Sequence, residues 1–115
     1  MEMERERDIE KYMRQEVEKM GGMFLKWVSP GNDGVPDRIA ILPTGMVVFI
    51  ELKAEDGRVS QLQEWWIRKL RDRRCIACVV RGMEEARAAV RVMRAAIPVA
   101  PEDVPAFEDP WRSGK

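Results

Sequence analysis

Asp37-Arg38-Ile39-Ala40-Ile41-Leu42-Pro43-Thr44-Gly45-Met46-Val47-Val48-Phe49-Ile50-Glu51-Leu52-Lys53, residues 37–53, is the stretch that decides the fold. Two largely apolar runs, 37–42 and 46–53, flank Pro43-Thr44-Gly45, a turn signal. Folded as a hairpin centred on Thr44, the runs pair Leu42 with Met46, and counting outward pairs Asp37 with Glu51. Directly opposed residues share a face, with Cβ atoms roughly 4.5–5.5 Å apart. Lys53 joins them because strand side chains alternate. The hairpin thus gathers two carboxylates and an amine at one end of a sheet. Opposed like charges are destabilising unless something offsets them. A hard cation such as Mg²⁺, usually held by one or two carboxylates, would do so. The plainer alternative makes Asp37 and Glu51 ordinary polar residues at strand ends. It accounts less well for a buried-looking strand that closes in Glu51-Leu52-Lys53. A register slip of one residue would separate the two acids onto opposite faces.

Outward from this hairpin, the chain reads as α-β-β-β-α-β-α. Ile9, Tyr12, Met13, Val17 and Met20 form an apolar stripe on a helix from about Glu4 to Met20, ended by Gly21-Gly22. Phe24 to Val28 is a short strand. Ser29-Pro30-Gly31-Asn32-Asp33-Gly34 is a surface loop by composition. After a turn at Glu55-Asp56-Gly57, a second helix runs from about Gln61 to Arg73 and is expected to bury Leu62, Trp66 and Leu70. Ile76 to Val80 is a further strand. A last helix spans about Glu84 to Ala96, with Ala88, Val92 and Ala95 among its apolar positions. The final strand is expected to return parallel to the 46–52 strand by a right-handed crossover. The fold class is α/β (α+β), a mixed sheet flanked by helices.

The chain has 115 residues, the length of one domain. Residues 1–97 form that domain. Prolines 98, 101, 105 and 110 make residues 98–115 an extended strap or a disordered tail, with Phe107 and Trp111 suggesting that part of it docks. The 20 basic and 20 acidic residues cancel, but residues 21–97 carry 13 bases against nine acids and could attract phosphate. No apolar stretch approaches the roughly 20 residues that span a bilayer, and no signal peptide is visible. A cytoplasmic protein, with no membrane partner, is expected.

The chain contains no histidine, which excludes Ser-His-Asp and Cys-His catalysis. Acid–base work falls to carboxylate, lysine or metal-bound water. The pair Cys75 and Cys78 lacks the four N/S ligands of a structural zinc site and reads as reduced core thiols.

Gly34-Val35-Pro36-Asp37-Arg38 followed by Glu51-Leu52-Lys53 resembles the PD-(D/E)xK nuclease superfamily. With Gly21-Gly22, Lys26, Ser29-Pro30-Gly31 and Leu62-Gln63 in the same order, residues 6–81 resemble the small standalone VRR-NUC family of phages and bacteria. The resemblance implies a restriction-endonuclease-like core and a Mg²⁺- or Mn²⁺-dependent DNA endonuclease. It also implies a homodimer like the Holliday junction resolvases, acting on branched DNA in a bacterial cell or phage-infected host. Flaps, nicks and plain duplex are the other substrates of that class. A non-catalytic DNA-binding or dimerisation module on the same fold is the competing reading, and retention of Asp37, Glu51 and Lys53 argues against it.

On this reading Asp37, Glu51 and the Leu52 backbone carbonyl hold the cation, which polarises the scissile phosphate and acidifies water. Lys53 positions or deprotonates that water, or neutralises charge on the phosphate. Pro36 fixes the approach to Asp37. Glu10, spaced from Gly21 like the helical glutamate of related resolvases, supplies a further catalytic acid. On the helical wheel, however, Glu10 borders the apolar stripe while Glu6 lies within it, and either is otherwise a solvated glutamate. Gln63 is an active-site glutamine by resemblance and the last residue of a Ser60-Gln61-Leu62-Gln63 capping box by pattern. Lys26, Arg38 and Arg58 are candidate contacts to DNA phosphates. Arg68, Lys69, Arg71, Arg73 and Arg74 form either a solvated face or a binding groove. Trp65 is either a dimer anchor or an edge of the core.

Overall fold

A computed structural model describes residues 5–96. Its elements run α1 (Glu6–Lys19), β1 (Met23–Lys26), β2 (Arg38–Ile41), β3 (Val47–Lys53), α2 (Gln61–Asp72), β4 (Ile76–Arg81) and α3 (Gly82–Ala95). This is the element order read from the sequence. The sheet order is β1-β2-β3-β4. The first three strands are antiparallel, and β4 returns parallel to β3 after α2. The expectation for residues 98–115 falls outside the described residues.

The hairpin register is the one the turn dictates. Arg38 pairs with Ile50, Ile39 with Phe49, Ala40 with Val48 and Ile41 with Val47. At the tip, the Leu42 N–H donates to the Met46 carbonyl at 2.8 Å, and Gly45 closes the turn by donating to the Leu42 carbonyl. Continued outward, this register sets Asp37 opposite Glu51. The β1 strand ends at Lys26 rather than Val28, although Trp27 still donates its N–H to the Asp37 carbonyl at 2.9 Å.

One sheet face carries the core. Phe24, Ala40, Leu42, Val48, Ile50, Leu52 and Val80 meet Ile9, Met13 and Val17 of α1 and Ala86, Val90 and Met93 of α3. Fully burying an aliphatic or Phe side chain contributes roughly 1.5–3 kcal/mol, so this face supplies most of the stabilisation. The α1 helix stops in a Schellman motif: Gly22 donates to the Val17 carbonyl and Gly21 to that of Glu18. Gly21 takes φ +90°, a conformation that costs a residue with Cβ dearly.

Two buried faces differ from the sequence reading. In α2 the buried residue is Ile67, while Leu62 is 46 % exposed and Trp66 and Leu70 are half-buried. Leu62 and Trp66 turn instead toward the loop before β2. In α3 the buried stripe is Ala86, Val90 and Met93, whereas Val92 is 69 % exposed. Apolar residues flank the Glu84, Arg87, Arg91 and Arg94 face of that helix on both sides, so periodicity alone does not single out one stripe. Cys75 and Cys78 are free, half-buried thiols, of which Cys78 packs against the core. Among the described residues no helix is long and apolar enough to cross a membrane.

Candidate active site

The site lies where β3 ends and the Asp33–Asp37 loop enters β2. Side-chain alternation puts Asp37, Glu51 and Lys53 on the sheet face opposite α1, toward α2. Pro36 is fully buried and fixes the backbone just before Asp37. The loop is locked from the α2 side. The Trp66 indole Nε1 donates to the Asp33 carbonyl at 2.7 Å. Gly34 has φ +90°, and a Cβ there would stand 2.7 Å from Leu62 Cγ. Leu62 and Trp66 therefore hold the loop that delivers Asp37.

Asp37 accepts a hydrogen bond on Oδ1 from the Leu52 N–H at 3.1 Å. The Leu52 side chain is fully buried with the core, so only its backbone belongs to the site. Glu51 is 4 % exposed. Its Oε2 accepts from Gln63 Nε2 at 3.1 Å and lies 3.6 Å from Lys53 Nζ. Its Oε1 is buried with no hydrogen-bond partner. Burial, followed by the charge of Asp37, pushes the Glu51 carboxyl up to about 7 against the pull of Lys53, and Glu6 adds to the rise. The charge of Glu6 thus reaches the site from the first turn of α1.

Gln63 makes the capping box read from the sequence and also reaches Glu51. Its Oε1 accepts from the Ser60 N–H at 2.9 Å, its own N–H donates to Ser60 Oγ at 3.1 Å, and its Nε2 still reaches Glu51. The capping box aims the amide at the carboxylate.

Glu10 is otherwise engaged. Arg14 binds its Oε2, and Arg38 Nε lies 3.4 Å from the same oxygen. Burial opposes its ionisation, but the hydrogen bonds and charges of Arg14 and Arg38 outweigh it and hold the carboxyl below its ordinary range. Arg38 is itself buried. Its Nη1 donates to the Asp37 carbonyl at 3.0 Å and lies 3.4 Å from Asp37 Oδ2. Arg38 thus ties Glu10 to Asp37 around the start of β2, and Glu10 reaches Asp37 only through it. Sequence reasoning left Arg14 out, although its i, i+4 spacing from Glu10 was visible.

The remaining basic residues are spread out. Lys26 pairs with Arg38 and so lies on the α1 face, away from Asp37 and Glu51. Arg58 is exposed on the loop before α2, in an open cleft with Glu55, Asp56, Glu64, Arg81 and Glu85. In the basic run, Arg71 donates to the Ala77 carbonyl and Lys69 sits 5.4 Å from the Trp65 ring centroid. Trp65 stays 42 % exposed in a T-shaped contact with Trp66.

Among the described residues no cluster of three or more His, Cys, Asp or Glu side chains forms a ready-made metal cage. The oxygens at the site are the Asp37 and Glu51 carboxylates, with the Leu52 backbone carbonyl a candidate third donor, all hard ligands. One carboxylate oxygen is buried and unpartnered. Such a set fits Mg²⁺ or Mn²⁺, which keep several waters and need few protein ligands.

The VRR-NUC domain family matches residues 3–84. The chain belongs to the VRR-NUC family. It is 52 % identical over 63 residues to "Putative nuclease p44" of Acyrthosiphon pisum secondary endosymbiont phage 1, covering 55 % of this chain and 68 % of that protein. A solved VRR_NUC domain superposes with a TM-score of 0.70 at 28 % identity, covering 75 % of this chain and 94 % of that domain. The fold is therefore the VRR-NUC fold, and the family match spans every candidate site residue from Glu10 to Gln63.

Proposed function

We propose that this VRR-NUC protein is a divalent-metal-dependent DNA endonuclease that works as a homodimer on branched DNA, with four-way junctions as its substrate. The observation that carries the proposal is the Glu51 carboxylate. It is buried opposite Asp37, held on one oxygen by Gln63 and Lys53, and bare on the other. Nature rarely leaves a buried carboxylate oxygen unpaired without a ligand or a catalytic role for it.

Asp37, Glu51 and the Leu52 carbonyl would hold the ion. When bound, Mg²⁺ or Mn²⁺ polarises the scissile phosphate and makes water a better nucleophile near neutral pH. Lys53 keeps an ammonium beside Glu51 and can neutralise charge that develops on the phosphate. Gln63 fixes the rotamer of Glu51 while its own backbone is fixed by Ser60. Arg38 holds Asp37 through both its carbonyl and its carboxylate. Glu10 serves the catalytic site by holding Arg38, and Glu6 contributes negative charge at the rim. Lys26 and Arg58 meet DNA phosphates outside the catalytic row, as sequence-independent anchors.

The sheet face that carries the site supports the dimer. The α2 helix packs against β4, and the adjoining part of that face is apolar, with Met23, Leu25 and Val47 exposed. A second copy placed there by a two-fold axis would pair two active sites, which suits paired incisions on a symmetric junction. The experiment is a panel of labelled junction, flap, nicked and linear duplex with Mg²⁺, Mn²⁺ or EDTA. Metal-dependent cutting, fastest on the junction, is expected. Cutting that is fastest on flap, nick or linear duplex rejects the junction. No cutting with either metal moves the protein to the DNA-binding module class.

A further inference from the structure

We propose that the outer face of α2 holds an unpaired DNA strand, with the exposed Trp65 ring as a stacking platform for a base and Arg68, Lys69 and Arg73 on the phosphates beside it. Leu62, Trp65, Lys69 and Arg73 recur at steps of three and four residues, so they form one row along the helix and its cap. The row starts at the loop that delivers Asp37, because Leu62 meets Gly34. It runs about 16 Å at 1.5 Å per residue, the length of about four stacked nucleotides at 3.4 Å each. That the strand is DNA rests on the nuclease reading above.

The ring is exposed and already ordered. Trp65 is 42 % exposed, yet it stands in a T-shaped contact with Trp66, the ring centroids 5.1 Å apart. The Trp66 indole N–H is tied in turn to the Asp33 carbonyl at 2.7 Å. A ring held this way loses little freedom when a base stacks on it. The charge around it has the sign that phosphate needs. Trp65, Arg68, Lys69, Arg71 and Asp72 line an open cleft of about 320 Å³, three bases against one acid. Arg73 and Arg74, both exposed, follow at the end of the helix. Among the described residues none of these five bases is in an ion pair. The Lys69 ammonium lies 5.4 Å from the Trp65 centroid; its flexible stem lets it turn to a phosphate when a base takes the ring. Arg74 has φ +66°, a left-handed conformation that favours glycine, and the chain places a cation there. Duplex backbone needs only the cations. An exposed aromatic ring adds a surface for the flat face of a base, which an unpaired strand or a branch point lays open.

The test is fluorescence anisotropy of a labelled oligothymidylate and of a labelled linear duplex, with full-length protein in EDTA. Without metal the measurement reads this surface, while the cleavage panel reads the metal site, so either can fail alone. Wild type should bind the oligothymidylate. Trp65→Ala should weaken that binding about tenfold, the loss expected for one stacked base, and weaken duplex binding far less. Trp65→Phe, which keeps a flat ring, should retain most of the affinity. Lys69→Gln should reduce the steepness of log K against log salt by about 0.7, the value for one phosphate contact on a single strand. Circular dichroism keeps misfolded variants out of the comparison. No binding of the oligothymidylate by wild type overturns the proposal, as does equal binding by Trp65→Ala or an equal loss on single strand and duplex. A Trp65→Ala protein that sediments as a smaller species than wild type also overturns it, because a second copy would then cover the ring.

Discussion

Replacing Glu51 by Gln should stabilise the metal-free protein above neutral pH while abolishing its activity. The Glu51 carboxyl is raised from 4.5 to about 7 in the folded protein, first by burial and then by Asp37. The gap corresponds to about 3 kcal/mol of preference for the neutral form. A carboxyl raised on folding contributes stability that is complete below its unfolded value, near pH 4.5. That stability is lost as pH rises through the folded value, near 7. Gln imitates the neutral acid and does not titrate. The two proteins should therefore be about equally stable near pH 4, with the variant gaining steadily until it leads by about 2–3 kcal/mol above pH 7. Urea unfolding without metal, at several pH values across that window, measures the difference. A divalent ion should shrink the lead by stabilising only the wild type. If Glu51→Gln is less stable than wild type at pH 8, or if the difference does not vary with pH, the strained carboxylate does not exist.

Three further outcomes follow from the same contacts. Gln63→Ala removes both the cap and the donor to Glu51, so it should cost about 0.5–2 kcal/mol and slow cleavage, whereas Gln63→Glu should keep the cap and still slow cleavage; thermal melts and single-turnover assays separate the two. Arg38→Met leaves Glu10 and Asp37 without their shared partner and should destabilise by about 3 kcal/mol, as when one member of a buried pair is removed, and weaken Mn²⁺ binding, both measurable on the same preparation. Gly34→Ala forces a Cβ against Leu62 at φ +90° and should cost about 1–3 kcal/mol, with cleavage reduced because the Asp37 loop shifts.

The hairpin was legible because a turn fixes register, and register fixes face. From Leu42 and Met46 outward the pairing follows by counting, and it set Asp37 against Glu51 before any coordinates. The helix order was equally plain from spacing and from the Gly21-Gly22 stop. What the helices pack against was less legible. The Leu62 and Trp66 pair reads as a core stripe, yet it clamps the Gly34 loop, because periodicity shows that a face is apolar and not what it meets. Glu10 looked like a catalytic acid by spacing. Only the three-dimensional neighbourhood shows two guanidiniums on it. Gln63 could be read as a cap or as an active-site residue; the cap forms, and because an amide has two ends its Nε2 is still left to reach Glu51.

The most direct measurement is a calorimetric titration of Mn²⁺ into wild type and Asp37→Asn near neutral pH, in two buffers of different ionisation heat. One ion bound per wild-type chain, with protons released as Glu51 gives up its share, and no binding to the variant is the expected result. Equal binding to both proteins, or binding to wild type without proton release, would contradict the capture of a metal by this pair of carboxylates.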